Sequence, residues 1–178
     1  MNIIQYLKEG LDSAQLWEGE RWLDRQEVLV PAGAVDRRLY FVEEGSLRVF
    51  FEDEGEAQIV RLGYQGNFIA ALDSYISGGP TEYCMQALKR CHLRYVSRDT
   101  FESFLASAPA YRARWQELLE LLVYQLMERE QDLLTTSPEA RYRRVLARSP
   151  QLFQEVPHKY IASYLRMAPE TLSRLKKS

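Results

Sequence analysis

The chain has 178 residues, of which 46% are hydrophobic and 27% charged, and its formal net charge is −2. This composition is typical of a globular protein, and no apolar run approaches the length needed to span a bilayer. Polar and charged residues interrupt the first ten positions, which argues against a secretory signal, so we expect a cytoplasmic protein without a membrane partner. The two cysteines, Cys84 and Cys91, are too few for a disulfide scaffold or a cysteine-only metal site.

Short apolar runs separated by turn residues extend from about residue 25 to residue 97. Glu27–Val30 precedes Pro31-Ala32-Gly33, and Leu39–Val42 leads into Glu43-Glu44-Gly45. Two further runs, Ser46–Phe51 and Gln58–Leu62, also end at turn residues. Strands of this length and spacing predict an antiparallel sandwich or barrel, which we assign to a sensor domain over residues 1–108.

A long helix is predicted over residues 109–134, after a short helix from Arg98 to Leu105. Its apolar residues repeat in a heptad pattern that Arg129 breaks once. The apolar members of this pattern are Trp115, Leu119, Leu122, Leu126 and Leu133. At 1.5 Å per residue the helix would be about 37 Å long, more than a small barrel can cover. We therefore predict a dimerisation helix; the alternative is a single amphipathic helix packed on its own barrel.

The last 44 residues, 135–178, carry nine basic and three acidic residues, a net charge of +6, so the rest of the chain carries −8. A basic segment on an acidic body suits a module that binds a polyanion, although a solvated basic face would have the same composition. Ser137-Pro138 starts a helix that runs to about Arg148. Two further helices are predicted over Pro157–Leu165 and Pro169–Lys177, with a three-residue break between them.

Helix, short break and helix is the arrangement of a DNA-reading unit. The segment Lys159–Leu165, followed by Pro169–Arg174, resembles the helix-turn-helix of transcription regulators of the CRP/FNR superfamily. The resemblance implies base contacts from Glu170, Thr171 and Arg174. The residues predicted to contact DNA are Lys159, Glu170, Thr171, Ser173, Arg174, Lys176 and Lys177, with the lysines on phosphates.

This segment departs from the family pattern in three ways. Arg166 stands where the turn usually has glycine, and Pro169 replaces an arginine that is common at the start of the recognition helix. The family's β-hairpin wing is expected to be absent. These departures lend some weight to an alternative, in which the chain is a ligand-binding or protein-binding module whose helix-turn-helix no longer reads DNA.

The resemblance extends upstream, where Pro31-Ala32-Gly33 and Leu39–Phe50 are similar to the core of a cyclic-nucleotide-binding domain. Nucleotide-binding members have a Gly-Glu pair and an Arg-Ser or Arg-Thr pair in the phosphate-binding cassette. The equivalent positions here are Ala70, Ala71, Thr81 and Glu82. Since a buried phosphate needs a cation, we predict that this domain does not bind cyclic AMP in the usual way. The pocket would be empty, filled by its own side chains, or adapted to another small-molecule effector.

Together these observations predict an α+β protein with three parts: an N-terminal antiparallel β-barrel or jelly roll, a long dimerisation helix and a small all-α helix-turn-helix domain over residues 135–178. The predicted function is a homodimeric transcription regulator whose partners are double-stranded DNA, a second copy of itself and an unidentified effector. No catalytic constellation, metal-ligand set or cofactor motif is recognised, so we do not expect an enzyme.

Overall fold

The computed structural model describes residues 2–177, which form eight strands followed and interrupted by helices. The strands are β1 (Gly19–Leu23), β2 (Val28–Val30), β3 (Arg38–Glu44), β4 (Ser46–Asp53), β5 (Glu56–Tyr64), β6 (Phe68–Ile69), β7 (Cys84–Ala87) and β8 (Cys91–Ser97). They form two four-stranded antiparallel sheets, in the orders β1-β8-β3-β6 and β2-β7-β4-β5. The sheets face each other as a jelly roll and do not join into a closed barrel.

The described residues also form eight helices, six of which follow the last strand. These are α1 (Ile3–Ser13), α2 (Leu72–Ser77), α3 (Arg98–Ser107), α4 (Pro109–Leu134), α5 (Pro138–Arg148), α6 (Leu152–Glu155), α7 (His158–Tyr164) and α8 (Pro169–Leu175). None of these helices is both long and apolar enough to cross a membrane. The two antiparallel sheets confirm the predicted α+β jelly roll, and helix α4 has the bounds that the sequence pattern predicts.

Four elements were not anticipated from the sequence. Strand β1 begins before residue 25, and helix α1 precedes it; Asn2 caps α1 by accepting a hydrogen bond from the Ile4 N–H at 3.1 Å. Helix α2 lies inside the cassette, for which no secondary structure was predicted. Helix α6 is a single turn in the segment that follows α5.

The sheets enclose a core of apolar residues, and the tight turn between β3 and β4 depends on glycine. Leu47, Met85 and Leu93 are fully buried between the sheets. Gly45 has a φ of +93°, and a Cβ atom there would collide with the Arg90 carbonyl oxygen. Only glycine meets both conditions without moving the neighbouring backbone.

The C-terminal helices share a hydrophobic cluster with the outer face of β4 and β5. Phe50, Ile59 and Leu62 from these strands pack in one buried cluster with Ile161 and Leu165 of the α7 region. A polar contact crosses the same junction: the Gln26 side-chain amide donates a hydrogen bond to the Tyr160 hydroxyl at 2.8 Å. The C-terminal helices are therefore joined to the β2-β7-β4-β5 sheet by side-chain contacts as well as by the covalent backbone.

A buried aspartate fixes the turn from α4 into α5. Asp132 is completely buried, and its two carboxylate oxygens accept from Arg144 Nε at 2.8 Å and Arg148 Nη2 at 2.5 Å. Glu128 lies 3.7 Å from Arg148 Nε. Because a buried carboxylate needs such partners, these arginines hold α5 in one orientation against α4.

Candidate functional site

The helix pair α7 and α8 has the geometry of a helix-turn-helix. Helix α7 ends at Tyr164, and Pro169 occupies the first position of α8, where its missing N–H costs nothing. Between them the Met167 N–H donates to the Ala162 carbonyl and the Arg166 N–H donates to the Ser163 carbonyl, both at 3.0 Å. This pair of bonds is a Schellman motif, which ends α7 and turns the chain towards α8 within four residues, 165–168.

Arg166 takes the left-handed conformation that the usual glycine would supply. Its φ is +50°, in the position that follows the helix cap. For a residue with a Cβ this conformation costs about 1–2 kcal/mol. The Arg166 carbonyl accepts from Arg141 Nη2 at 3.2 Å, which ties the strained turn to α5. The turn therefore keeps the family shape despite the substitution.

The interior of the helix pair follows the apolar pattern of the sequence. Ile161 and Leu165 are fully buried, Leu172 of α8 is 1% exposed, and Met167 packs against the same cluster from the turn. Ala162, also fully buried, allows α8 to approach α7 closely. These contacts fix which side of α8 faces solvent.

The residues predicted to contact DNA lie mostly on the surface. The exposed ones are Lys159, Glu170, Ser173, Arg174, Lys176 and Lys177, while Thr171 is half-buried. The Lys176 ammonium contacts the His158 ring, which brings the end of α8 next to the start of α7. The model thus gathers all seven residues on one helix pair with their polar groups accessible.

The cassette positions surround a carboxylate that the sequence analysis did not single out. Asp73, in the first turn of α2, accepts from the Thr81 hydroxyl at 2.7 Å and from the Glu82 backbone N–H at 2.8 Å. Ala71 precedes the helix as its cap residue and is fully buried, and Ala70 lies next to it. Asp73 therefore connects the two ends of the cassette.

The Asp73 carboxylate is held in its charged form. Burial raises its pKa, but the hydrogen bonds from Thr81 and the Glu82 N–H outweigh burial and leave the pKa below its ordinary value. An aspartate in the first turn of a helix is a recognised helix-start signal, which points to α2 but not to the contacts that Asp73 makes with Thr81 and Glu82. Asp73 thus places a charged carboxylate beside Thr81 and the Glu82 backbone.

Helix α4 leaves most of its apolar residues exposed. Leu119 is 39% exposed, Leu126 52% and Leu133 37%, whereas Asp132 is the one fully buried residue of the helix. We call Leu119, Leu122, Leu126 and Leu133 the α4 stripe. Trp115 departs from it, because its ring packs edge-on against Phe101 of the sensor core with centroids 4.8 Å apart.

Arg129, which breaks the heptad pattern, turns towards its own chain. Its guanidinium stacks on the Tyr164 ring at 3.6 Å from the centroid and donates to the Ile59 carbonyl at 3.4 Å. Burial lowers the pKa of Arg129. The interruption in the pattern therefore corresponds to a contact among α4, β5 and α7.

Comparison with known families identifies the class of protein. The family model for the cyclic nucleotide-binding domain matches residues 20–108, half of the chain. The chain therefore belongs to the cyclic nucleotide-binding domain family. A search of curated proteins gives no significant match.

Solved structures extend the likeness to nearly the whole chain. FixK2 from Bradyrhizobium japonicum superposes with a TM-score of 0.72 at 18% identity, covering 89% of this chain and 82% of that one. A CooA mutant from Carboxydothermus hydrogenoformans gives 0.71 at 16% identity, with 99% and 83% covered. The catabolite activator protein of Thermus thermophilus gives 0.56 at 22% identity, with 95% and 81% covered. The fold is thus that of CRP/FNR regulators.

Proposed function

We propose that the chain is a transcription regulator that binds double-stranded DNA as a homodimer and has no catalytic role. The observation that carries this proposal is the exposed face of α8, where Glu170, Ser173 and Arg174 project from a helix whose other face is buried through Leu172. Arginine pairs bidentately with guanine and glutamate accepts from cytosine, so this face has the chemistry of base readout. Access to chromosomal DNA fits the expected cytoplasmic location.

The α4 stripe supports the homodimer. Exposed leucines along a helix of 26 residues are costly to leave in water, and a second α4 would cover them about a two-fold axis. Each copy would then offer α8 to successive major grooves, with half-sites about 34 Å apart. The operator would be an imperfect palindrome.

The cassette supports a regulator that is not controlled by cyclic AMP in the usual way. Asp73 already occupies the hydrogen-bond donors of Thr81 and Glu82, and it repels a phosphate that comes near. Any effector of this sensor domain would therefore bind elsewhere, or bind without placing a phosphate at the cassette.

DNA binding is tested with duplexes selected from a random-sequence library by the purified full chain. We expect Arg174→Ala to weaken binding to the selected duplex by about 1–3 kcal/mol and to relax the preference at one base pair. Arg37→Ala, which removes an equal charge from the sensor domain, is the matched control and should leave binding unchanged. Affinity should fall steeply with salt. Failure to enrich any duplex would favour the alternative of a helix-turn-helix that does not read DNA.

The oligomeric state is tested by sedimentation of the full chain and of the Leu119→Glu/Leu126→Glu variant. We expect a dimer for the parent chain and a monomer for the variant, because charges facing each other across the stripe oppose association. Tyr124→Glu places a charge at an exposed position on the other side of α4 and should remain dimeric. A monomeric parent chain would contradict the homodimer.

A further inference from the structure

A cavity of about 400 Å³ lies between α4 and the sensor domain, next to the cassette and separate from its Asp73–Thr81–Glu82 contacts. Its walls come from β5, the β6–α2 segment, α4 and the α5–α7 region. The volume is within the range of small-molecule sites. Phe68, Leu118 and Leu122 provide much of its apolar surface.

Two arginines at one end of this cavity have no acidic partner. Arg61 of β5 and Arg129 of α4 both line it, together with the Tyr164 ring. Neither is in an ion pair among the described residues, and the Nη1 atom of Arg129 is buried without a hydrogen-bond acceptor. Asp132 is the buried carboxylate nearest to Arg129 along the chain. It accepts hydrogen bonds from Arg144 and Arg148 instead.

The environment of these arginines gives them a reason to bind an anion. Burial lowers the pKa of Arg61 and of Arg129, and the groups that act on Arg61 are the phenols of Tyr164 and Tyr64. Asp132 attracts Arg129 but is bound by Arg144 and Arg148, so neither Arg61 nor Arg129 has a paired carboxylate. Desolvated guanidinium groups without a paired carboxylate raise the free energy of the folded chain. An anionic ligand between them would remove that cost and gain charge-assisted hydrogen bonds.

The far end of the cavity holds a second unpaired polar group. The Tyr75 hydroxyl is buried without a hydrogen-bond partner, and its residue is 6% exposed. Along α4, the wall runs from Trp115 to Arg129, a rise of about 21 Å at 1.5 Å per residue. The cavity is therefore elongated, with Arg61 and Arg129 at one end and the Tyr75 hydroxyl at the other, where Arg98 and Glu102 also line it.

We propose that this cavity binds an amphipathic organic carboxylate, with the carboxylate between Arg61 and Arg129 and the apolar chain along Phe68, Leu118 and Leu122. A ligand that carries a hydroxyl or carbonyl group at its far end would also satisfy Tyr75. This assignment names the effector class of the sensor domain; its regulatory consequence rests on the proposed function, whereas the binding itself does not.

The position of the ligand would couple three parts of the molecule. Arg61 belongs to the sensor sheet, Arg129 to α4, and Tyr164 to the first helix of the helix-turn-helix. Leu119 and Leu126 belong both to the cavity wall and to the α4 stripe, so a second copy would cover its open side. A ligand here favours whichever arrangement of α4 and α7 brings both arginines to its carboxylate.

The test is calorimetric titration of the full chain, without DNA, with octanoate, dodecanoate and hexadecanoate, and with dodecanol as the uncharged control. We expect at least one carboxylate to bind and to raise the melting temperature. Dodecanol should bind about tenfold to a hundredfold more weakly than dodecanoate. Equal binding of alcohol and carboxylate, or binding of none of the three acids, would overturn the proposal.

Variants locate the carboxylate. Arg61→Gln and Arg129→Gln should each weaken binding about tenfold or more, Arg61→Lys should retain part of it, and Arg37→Gln should retain all of it. Circular dichroism checks that each variant is folded. Unchanged affinity in both glutamine variants would overturn the proposal. Carboxylate binding by a chain that selects no duplex would leave this inference intact and refute the proposed DNA-binding function.

Discussion

The cassette and the cavity beside α4 lie next to each other and differ in how their charges are balanced. In the cassette the anion is part of the protein: Asp73 accepts the hydrogen bonds of Thr81 and Glu82. In the cavity the cations Arg61 and Arg129 are present and no carboxylate pairs with them. The comparison indicates that unpaired charges mark a ligand site better than does the place where the family usually binds its ligand.

The largest predicted effect comes from replacing the cassette residues. The variant that combines Ala70→Gly, Ala71→Glu, Asp73→Ala, Thr81→Arg and Glu82→Ser carries the family's residue types at the cassette positions and lacks the Asp73 and Glu82 carboxylates. We expect a gain in cyclic AMP affinity of about a hundredfold, measured by calorimetry. The same variant with Asp73 retained should bind more weakly. Equal affinity in the two variants would show that Asp73 does not block the site.

The second prediction concerns the stability that Asp73 provides. Asp73→Ala leaves the Glu82 N–H without an acceptor and the Thr81 hydroxyl with only the Tyr83 carbonyl at 3.4 Å, and it should lower the free energy of unfolding by about 1–3 kcal/mol. Urea unfolding measures the change. Asp99, in the first turn of α3, is an exposed aspartate at a similar helix position. Asp99→Ala should cost no more than about 0.5 kcal/mol, and an equal loss in both variants would contradict the assigned role.

The third and smallest predicted effect is a gain in stability. Arg61→Leu removes an unpaired, desolvated charge and should raise the free energy of unfolding of the ligand-free chain by about 1 kcal/mol. Arg148→Leu serves as the contrast, because Arg148 is paired with Asp132 and its loss should destabilise the chain. Thermal unfolding of the two variants measures both changes. A loss of stability in Arg61→Leu would show that Arg61 has a favourable partner within the chain.

The sequence predicted much of the fold because proline and turn residues mark its boundaries. Pro109, Pro138 and Pro169 stand at the first positions of α4, α5 and α8, and the sheet positions follow from turns such as Gly45. The missed helices α1, α2 and α6 have at most 11 residues, so tertiary contacts decide them more than any periodic pattern does.

The candidate sites were predictable to different degrees. The exposed face of α8 follows directly from helical spacing around Leu172. By contrast, the carboxylate of Asp73 meets Thr81 and Glu82 only after α2 forms, and Arg129 meets Tyr164 only after α7 packs against β5. Local patterns carry no information about such long-range contacts. In the sequence Arg129 is therefore only an interruption of a heptad, although in the fold it joins three elements.

The hydrophobic cluster between β4, β5 and α7 limits how this protein can be divided. A chain cut after Leu134 would uncover Phe50, Ile59 and Leu62, while the separated C-terminal piece would lose the support of Ile161. The C-terminal helices and the two sheets should therefore unfold in a single cooperative step. Exchange of the C-terminal helices between relatives would require the outer surface of this sheet to be transplanted with them.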